Sequence, residues 1–340
     1  FFPVSIISII KTAALSFLVP PPIKQKYRGM TKMTEITAAK VKELRESTGA
    51  GMLDCKKALV ESNGDMDAAV DWLRKKGLAS AAKKASRIAA EGLVAVYVEG
   101  NKGAVAEVNS ETDFVAKNEL FQEYVADAAK VALMASGELC DMKTFHCPKC
   151  NKTFEERLTD LIAKIGENMT LRRAAMLQVN NGVIASYIHN SCGSNLGKIG
   201  VLVALESTAD KTKLEELGKH IAMHVAASAP LFKDIASVDP AAVEHEKSIF
   251  AEQAKASGKP ENIIEKMVEG RVRKYYEEVV LEEQAFIMDP DKKVKQVIAD
   301  AAKELGTDIK LVDYVRFKLG EGLQKKEEDF AAEVAAQLGK

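Results

Sequence analysis

The sequence predicts an α+β protein, and three observations carry that prediction. Apolar residues in 37–77 recur at three-to-four spacing, the period falls to two at Gly92, and the helical period returns after Pro240. Between those switches the order strand, turn, strand, helix occurs twice, about 90 residues apart, with GAVAEVNSETD (103–113) matched by IGVLVALESTAD (199–210). The expected architecture is a duplicated α+β core with antiparallel sheets, preceded by three helices and followed by a protruding antiparallel helical hairpin and a C-terminal helix.

Residues 1–32 stand apart. Residues 1–34 hold no acid, and the apolar run from Val4 to Val19 is broken by Lys11 and closed by three prolines at 20–22. That run is too short and too interrupted for a spanning helix. Two readings stand: a basic organelle leader, or a spurious extension ahead of a start at Met30 or Met33. From residue 33 to 86 we expect a compact docking module and a linker. Val41 and Leu44, then Leu53, Ala58 and Leu59, then Ala69, Val70 and Leu73 mark three helices. TGAG (48–51) turns between the first two, Asp65 is placed to cap the third and Gly77 to end it, with 78–90, rich in Ala and Lys, continuing as a linker helix.

The core is expected as an N-terminal part, 87–180, and a C-terminal part, 181–239 with 276–320. Strands are expected at 93–99 and 104–109 around a turn at 100–103, and then a helix carrying Phe121, Val125, Ala128 and Val131. A second helix is expected at 156–166 and a strand at 170–179. The second copy has strands at 182–189 and 198–207 and a helix at 212–228. Helices at 240–256 and 260–275 form the hairpin, with Ser257-Gly258-Lys259-Pro260 between them. Strands near 278–287 and 311–319 are expected to rejoin the core, and 321–340 to hold an amphipathic helix with Leu323, Phe330, Val334 and Leu338 in register.

Composition narrows the function. In 340 residues, 48 bases face 49 acids. The leader takes five of the bases and none of the acids, so 33–340 has 43 against 49, a net −6. A mildly acidic body, in a chain of which 6% is aromatic, suits neither phosphate neutralisation nor base stacking. Five cysteines do not make a disulfide scaffold and point to a reducing compartment. The phosphate-cradling, dinucleotide-binding, HExxH and GxSxG patterns are all missing from the sequence.

Four constellations carry chemistry or contact. His220 and His224 have zinc-binding spacing on a helix, but apolar neighbours favour packing. Cys140, His146, Cys147 and Cys150, with a CPxC knuckle, suggest a structural zinc site completed by His146 or Cys192; against it, a second CxxC is missing. Thr112-Asp113-Phe114-Val115 follows a strand and precedes a helix. By spacing, Thr112 or Asp113 caps that helix and Phe114 packs beneath; the alternative is an exposed carboxylate and ring able to wedge into a partner. His189 ends a strand before a glycine-containing loop.

Longer stretches resemble the bacterial-type elongation factor Ts family: EITAAKVKELRESTGAGMLDCKKALVESNGDMDAAVDWLRKKG, NSETDFVAKNELF (109–121), KIGENMTLRRAAML (164–177) and HIAMHVAAS (220–228). So do SGKPENIIEKMVEGRVRKYYEE (257–278), QAFIMDP (284–290) and RFKLGEGLQKKEEDFAAEV (316–334). The resemblance covers 33–340. It implies a UBA-like N-terminal module and a non-enzymatic, cofactor-free factor that binds elongation factor Tu and releases its GDP. It places Thr112, Asp113, Phe114 and Val115 at the partner's Mg²⁺ and switch region and His189 toward its phosphate-binding side. Leu44, Met52 and Leu53 would dock on the GTPase domain, with the C-terminal helix as a further contact. No direct nucleic-acid or membrane partner is implied, a homodimer in a 2:2 complex is left open, and the compartment is a bacterial cytoplasm or, if 1–32 is a transit segment, a mitochondrial matrix. The cysteine segment, about 138–155, departs from the family pattern, and the loop Ser191 to Asn195 is unusual beside His189.

Overall fold

A computed structural model describes residues 36–148, 150–255 and 260–323. The leader, the C-terminal helix expected beyond Leu323 and the link 256–259 lie outside the described residues. Three helices come first: α1 (Ala38–Thr48), α2 (Met52–Glu61) and α3 (Met66–Lys84). Side chains satisfy the orphan amides at two of their starts, Thr37 accepting from the Lys40 N–H and Asp65 from the Ala68 N–H. Val41, Leu44, Cys55, Ala58, Leu59 and Ala69 make a small core of their own. Gly77 does not end α3. It sits buried where α3 crosses a later helix, its Cβ position 3.8 Å from the Ala163 methyl, so the glycine serves close packing and the helix runs on to Lys84.

The first half of the core is β1 (Glu91–Glu99), β2 (Lys102–Ser110), α4 (Glu119–Met134), α5 (Leu139–Thr144), the two-residue strands β3 (His146–Cys147) and β4 (Lys152–Thr153), α6 (Phe154–Ile165) and β5 (Met169–Gln178). The second half is β6 (Gly182–His189), β7 (Leu196–Gly197), β8 (Ile199–Glu206), α7 (Lys211–Ser228), α10 (Val294–Leu305) and β11 (Lys310–Lys318). Between α7 and α10 the chain makes α8 (Pro240–Lys255), α9 (Glu261–Val279), β9 (Ala285–Phe286) and β10 (Asp289–Lys293).

Strands run antiparallel in the order β5-β2-β1-β7 in one sheet and β11-β8-β6 in the other. Alternation along each strand sorts the side chains into three apolar layers. Leu93, Ala95, Ala104, Ala106 and Val108 face α4 and α6; Val201, Val203 and Leu205 face α7 and α10. Val94, Val96, Val105, Ile184, Leu202 and Phe317 lie between the two sheets. A helix–sheet–sheet–helix sandwich results, and β1 and β2 are buried on both faces, which explains why their apolar runs are nearly continuous. The sheets approach so closely that a Cβ at Gly103 would lie 2.5 Å from Ile184 Cγ2, and one at Gly200 would lie 2.7 Å from Val94 Cγ1.

The expected strand near 278–287 is not formed. Helix α9 runs to Val279, and the Leu281 and Glu282 amides turn back to the Phe232 and Lys233 carbonyls at 2.8 and 3.1 Å. Val280 makes a single parallel bridge with Phe232, and Ala285–Phe286 pairs with β10 outside the core sheets. Helix α10 occupies the second half's counterpart of α6, each helix leading into the third strand of its sheet. The hairpin α8–α9 closes around Val238, Val243, Val272 and Val280. Among the described residues no helix is long and apolar enough to cross a membrane.

Candidate partner-binding site

The segment after β2 makes a corner rather than a direct helix start. Asn118 caps α4, its side chain accepting from the Leu120 and Phe121 amides at 3.0 and 3.4 Å. Neither Thr112 nor Asp113 caps it, and Phe114 does not pack beneath it: Phe114 is 76% exposed, and Asp113 is exposed beside it. The cap reading fails because the helix begins five residues later, after a 3₁₀ turn at Val115–Lys117 whose Val115 and Ala116 are buried. Val115 therefore anchors the corner and offers no contact surface.

Thr112 fixes the corner's direction. Its N–H donates to Glu167 Oε2 at 3.0 Å and its hydroxyl to Glu167 Oε1 at 2.7 Å. In return the Asn168 N–H donates to the Glu111 carboxylate. Within the turn, the Ala116 amide donates to the Asp113 carbonyl at 3.2 Å and the Lys117 amide to the Phe114 carbonyl at 3.1 Å. Glu167 and Asn168 were not singled out from sequence; their signal was a polar pair directly after a glycine C-cap, in a stretch that matches the family.

His189 is exposed at the end of β6, opposite Ile199, with its Nδ1 3.2 Å from the Tyr187 hydroxyl. Lys198 joins it to the corner's end of the first sheet. The Lys198 amide donates to the His189 carbonyl at 3.1 Å, and its Nζ donates to the Gly92 carbonyl at 3.1 Å. Gly92 and Glu91 pair with Asn109 and Ser110, from which the corner springs. The helical module arrives on the same side. A Cβ at Gly49, in the turn before α2, would lie 3.4 Å from Lys164 Nζ, three residues before Glu167. Met52 and Leu53 just beyond are 57% and 83% exposed, whereas Leu44 is fully buried in the module's core and cannot itself touch a partner.

The family model described as Elongation factor TS matches residues 111–321. The chain is 58% identical over 307 residues to elongation factor Ts of Rhodospirillum centenum, spanning 90% of this chain and 100% of that protein. It is 59% identical over 309 residues to that of Rhodospirillum rubrum (91% and 100%) and 58% over 307 residues to that of Paramagnetospirillum magneticum (90% and 98%). The chain belongs to the elongation factor Ts family. It is a translation elongation factor, and the matched span runs from Glu111 in the corner to Glu321 just past β11.

The other constellations take structural places in this family member. His224 is buried, with the Ile287 N–H donating to Nδ1 at 3.3 Å and Nε2 placed 2.9 Å from Gln284 Oε1, so both ring nitrogens are engaged. Burial pushes its pKa down, only partly offset by Gln284. Among the described residues no third His, Cys, Asp or Glu joins His220 and His224 as a metal ligand. In the cysteine segment, Cys147 and Cys150 meet side chain to side chain across the β3–β4 turn, and burial followed by Cys147 raises the Cys150 pKa. Among the described residues no three His, Cys, Asp or Glu side chains converge as metal ligands, so Cys140, His146 and Cys192 do not complete the knuckle.

One buried charge lies outside the constellations expected from the sequence. Glu107 lies between the sheets, fully buried, and accepts from Arg172 at 2.8 Å, Arg173 at 2.6 Å and the Gly320 amide at 2.9 Å. Burial pushes its carboxyl up, but the Gly320 amide and the two guanidiniums outweigh it and hold the pKa below the ordinary value. Arg173 also stacks over Phe317, 4.3 Å from the ring centre, and donates to the Lys318 carbonyl at 3.0 Å. The network ties β2 and β5 to the chain that leaves β11. A single acid in the apolar run AVAEV was its sequence signal.

Proposed function

We propose that this chain is a guanine-nucleotide exchange factor that binds elongation factor Tu·GDP and releases GDP by protein–protein contact. The observation that carries the reading is Phe114, three-quarters exposed beside Asp113 on a corner held by Glu167 and by buried Val115. An exposed aromatic ring on a fixed turn has the form of an interface anchor, because little backbone freedom remains to be lost on docking. Phe114 and Asp113 enter beside the partner's Mg²⁺ and switch region and displace the ion. His189 presses on the phosphate side, and Met52 and Leu53 hold the GTPase domain.

Mg²⁺ and backbone amides hold the β-phosphate of GDP in such a site. A factor that prefers the ion-free, nucleotide-free form must weaken nucleotide by the same factor by which nucleotide weakens it, since the coupling is reciprocal. No nucleophile or cofactor of this chain is needed for that. We read the setting as a bacterial-type cytoplasm and the α8–α9 hairpin as the surface for a second copy or for the partner's other domains; sedimentation of the complex distinguishes a 2:2 from a 1:1 assembly.

Release of labelled GDP from elongation factor Tu tests the function. The full chain is expected to accelerate release, and Phe114→Ala with Asp113→Ala to abolish most of the acceleration. An unaccelerated wild type would overturn the assignment; a fully active double variant would overturn only the wedge.

A further inference from the structure

We propose that Glu167 is the positioning residue that aims Phe114, an inference that rests on the exchange reading above. Its carboxylate takes two donors from one residue, the Thr112 N–H at 3.0 Å and the Thr112 hydroxyl at 2.7 Å. Two acceptor oxygens on a main-chain and a side-chain donor of the same residue fix both its backbone direction and its rotamer. The turn bonds from Ala116 and Lys117 to the Asp113 and Phe114 carbonyls carry that direction to the ring.

Glu167 is itself held at both sides. Gly166 before it is the left-handed C-cap of α6, with φ 92°, and Met169 two residues later pairs with Ser110 at the end of β2. Asn168 donates from its side chain to the Arg87 carbonyl at 2.7 Å, tying the same loop to the linker from the helical module.

The second half of the core supplies a control within the molecule. There the loop after α10 also begins with a left-handed glycine, Gly306, and is joined to the corner by neutral hydroxyls: Thr307 meets Thr208 at 2.8 Å, and the Ser207 hydroxyl donates to the Asp308 carbonyl at 2.7 Å. That corner runs directly into α7 and presents no ring. The charge-assisted clamp on one carboxylate therefore occurs at the corner that displays Phe114, and neutral hydroxyl contacts from two separate residues occur at the corner that displays nothing.

The test measures labelled GDP release from elongation factor Tu by the full-length chain and its Glu167→Ala, Glu167→Gln, Phe114→Ala and Glu167→Ala/Phe114→Ala variants, with melting temperature recorded for each. Loss of a charged acceptor predicts that Glu167→Ala slows release roughly tenfold. Glu167→Gln keeps one oxygen acceptor and slows it by about threefold. Because Glu167 acts through the ring, Glu167→Ala changes release less than about twofold once Phe114 is alanine. An equal tenfold loss in that background shows an independent role and overturns the proposal, as does wild-type release by Glu167→Ala when Phe114→Ala is slow. Wild-type release by Phe114→Ala overturns the wedge and the clamp together. If Glu167→Ala does not fold, Thr112→Val, which removes the hydroxyl donor, stands in for it in the same four-way comparison.

Discussion

The two halves of the core share the order strand, strand, helix, helix, strand, and beyond their separate insertions they differ in how the first helix is entered. Aligned on Gly103 and Gly200, Ser110 matches Ser207 and Asp113 matches Asp210. In the second half Asp210 is the helix cap, accepting from the Lys213 amide at 3.2 Å, and α7 starts at once. In the first half the chain passes Asp113, makes a 3₁₀ turn and caps α4 with Asn118. Asp113 and Phe114 are thereby released from capping and packing duties. The comparison teaches that an exposed carboxylate and ring were gained by delaying a helix start, with the sheet beneath left in register.

Breaking the comparison at Glu107 has the largest expected effect. The first half and the exit from β11 share this buried carboxylate, and Glu107→Ala leaves Arg172 and Arg173 without it. Chemical denaturation is expected to show a loss of about 3 kcal/mol. The corner itself comes next. Phe114→Ala is expected to cut accelerated GDP release by about thirtyfold, the scale of an interface anchor, with thermal stability held. Asp210→Ala, at the matched position, is expected to do the reverse: about 1 kcal/mol of stability lost and nucleotide release unchanged.

Acid separates the halves as well. The folded pKa of His224 lies below the ordinary 6.5, so the unfolded chain binds the proton first. Stability from the second half is therefore full above about pH 6.5 and falls as pH drops below it. Glu107 is also depressed, from 4.5, so its contribution is lost only as pH falls below about 4.5. Denaturant midpoints between pH 7 and 5 are expected to decline in the wild type and to flatten in His224→Gln; an unchanged slope would contradict the assignment.

Much of this was legible in the sequence because it rests on local periodicity. Leu44 and Leu59 at helical spacing, Asp65 as a cap and the paired strands on either side of Gly100 all follow from short-range rules. The failures came where long-range partners decide. Val279, Val280 and Leu281 read as a strand, yet Val279 ends α9, the Val280 amide still donates to the Tyr276 carbonyl, and the Leu281 amide reaches only the Phe232 carbonyl after α7. Helix α10 went unread although Val294, Val297, Ile298 and Ala301 keep helical spacing; its place follows once it is matched to α6. At the site, Asp113 has cap spacing, and only the burial of Val115 and Ala116 moves the cap to Asn118. The clamp is invisible locally, since Thr112 and Glu167 are 55 residues apart.

The position of β5 and β11 has a consequence for synthesis. Each closes its sheet from far down the chain, Gln178 pairing with Lys102 and Lys310 with Glu206. On the ribosome, β2 therefore emerges as an open edge and stays one until β5 follows, some 70 residues or about 4–14 seconds later at ordinary elongation rates. The second sheet waits longer, and the apolar layer between the sheets waits for both. A factor that serves translation thus emerges with its own two halves dated by translation, the corner that carries Phe114 closing first.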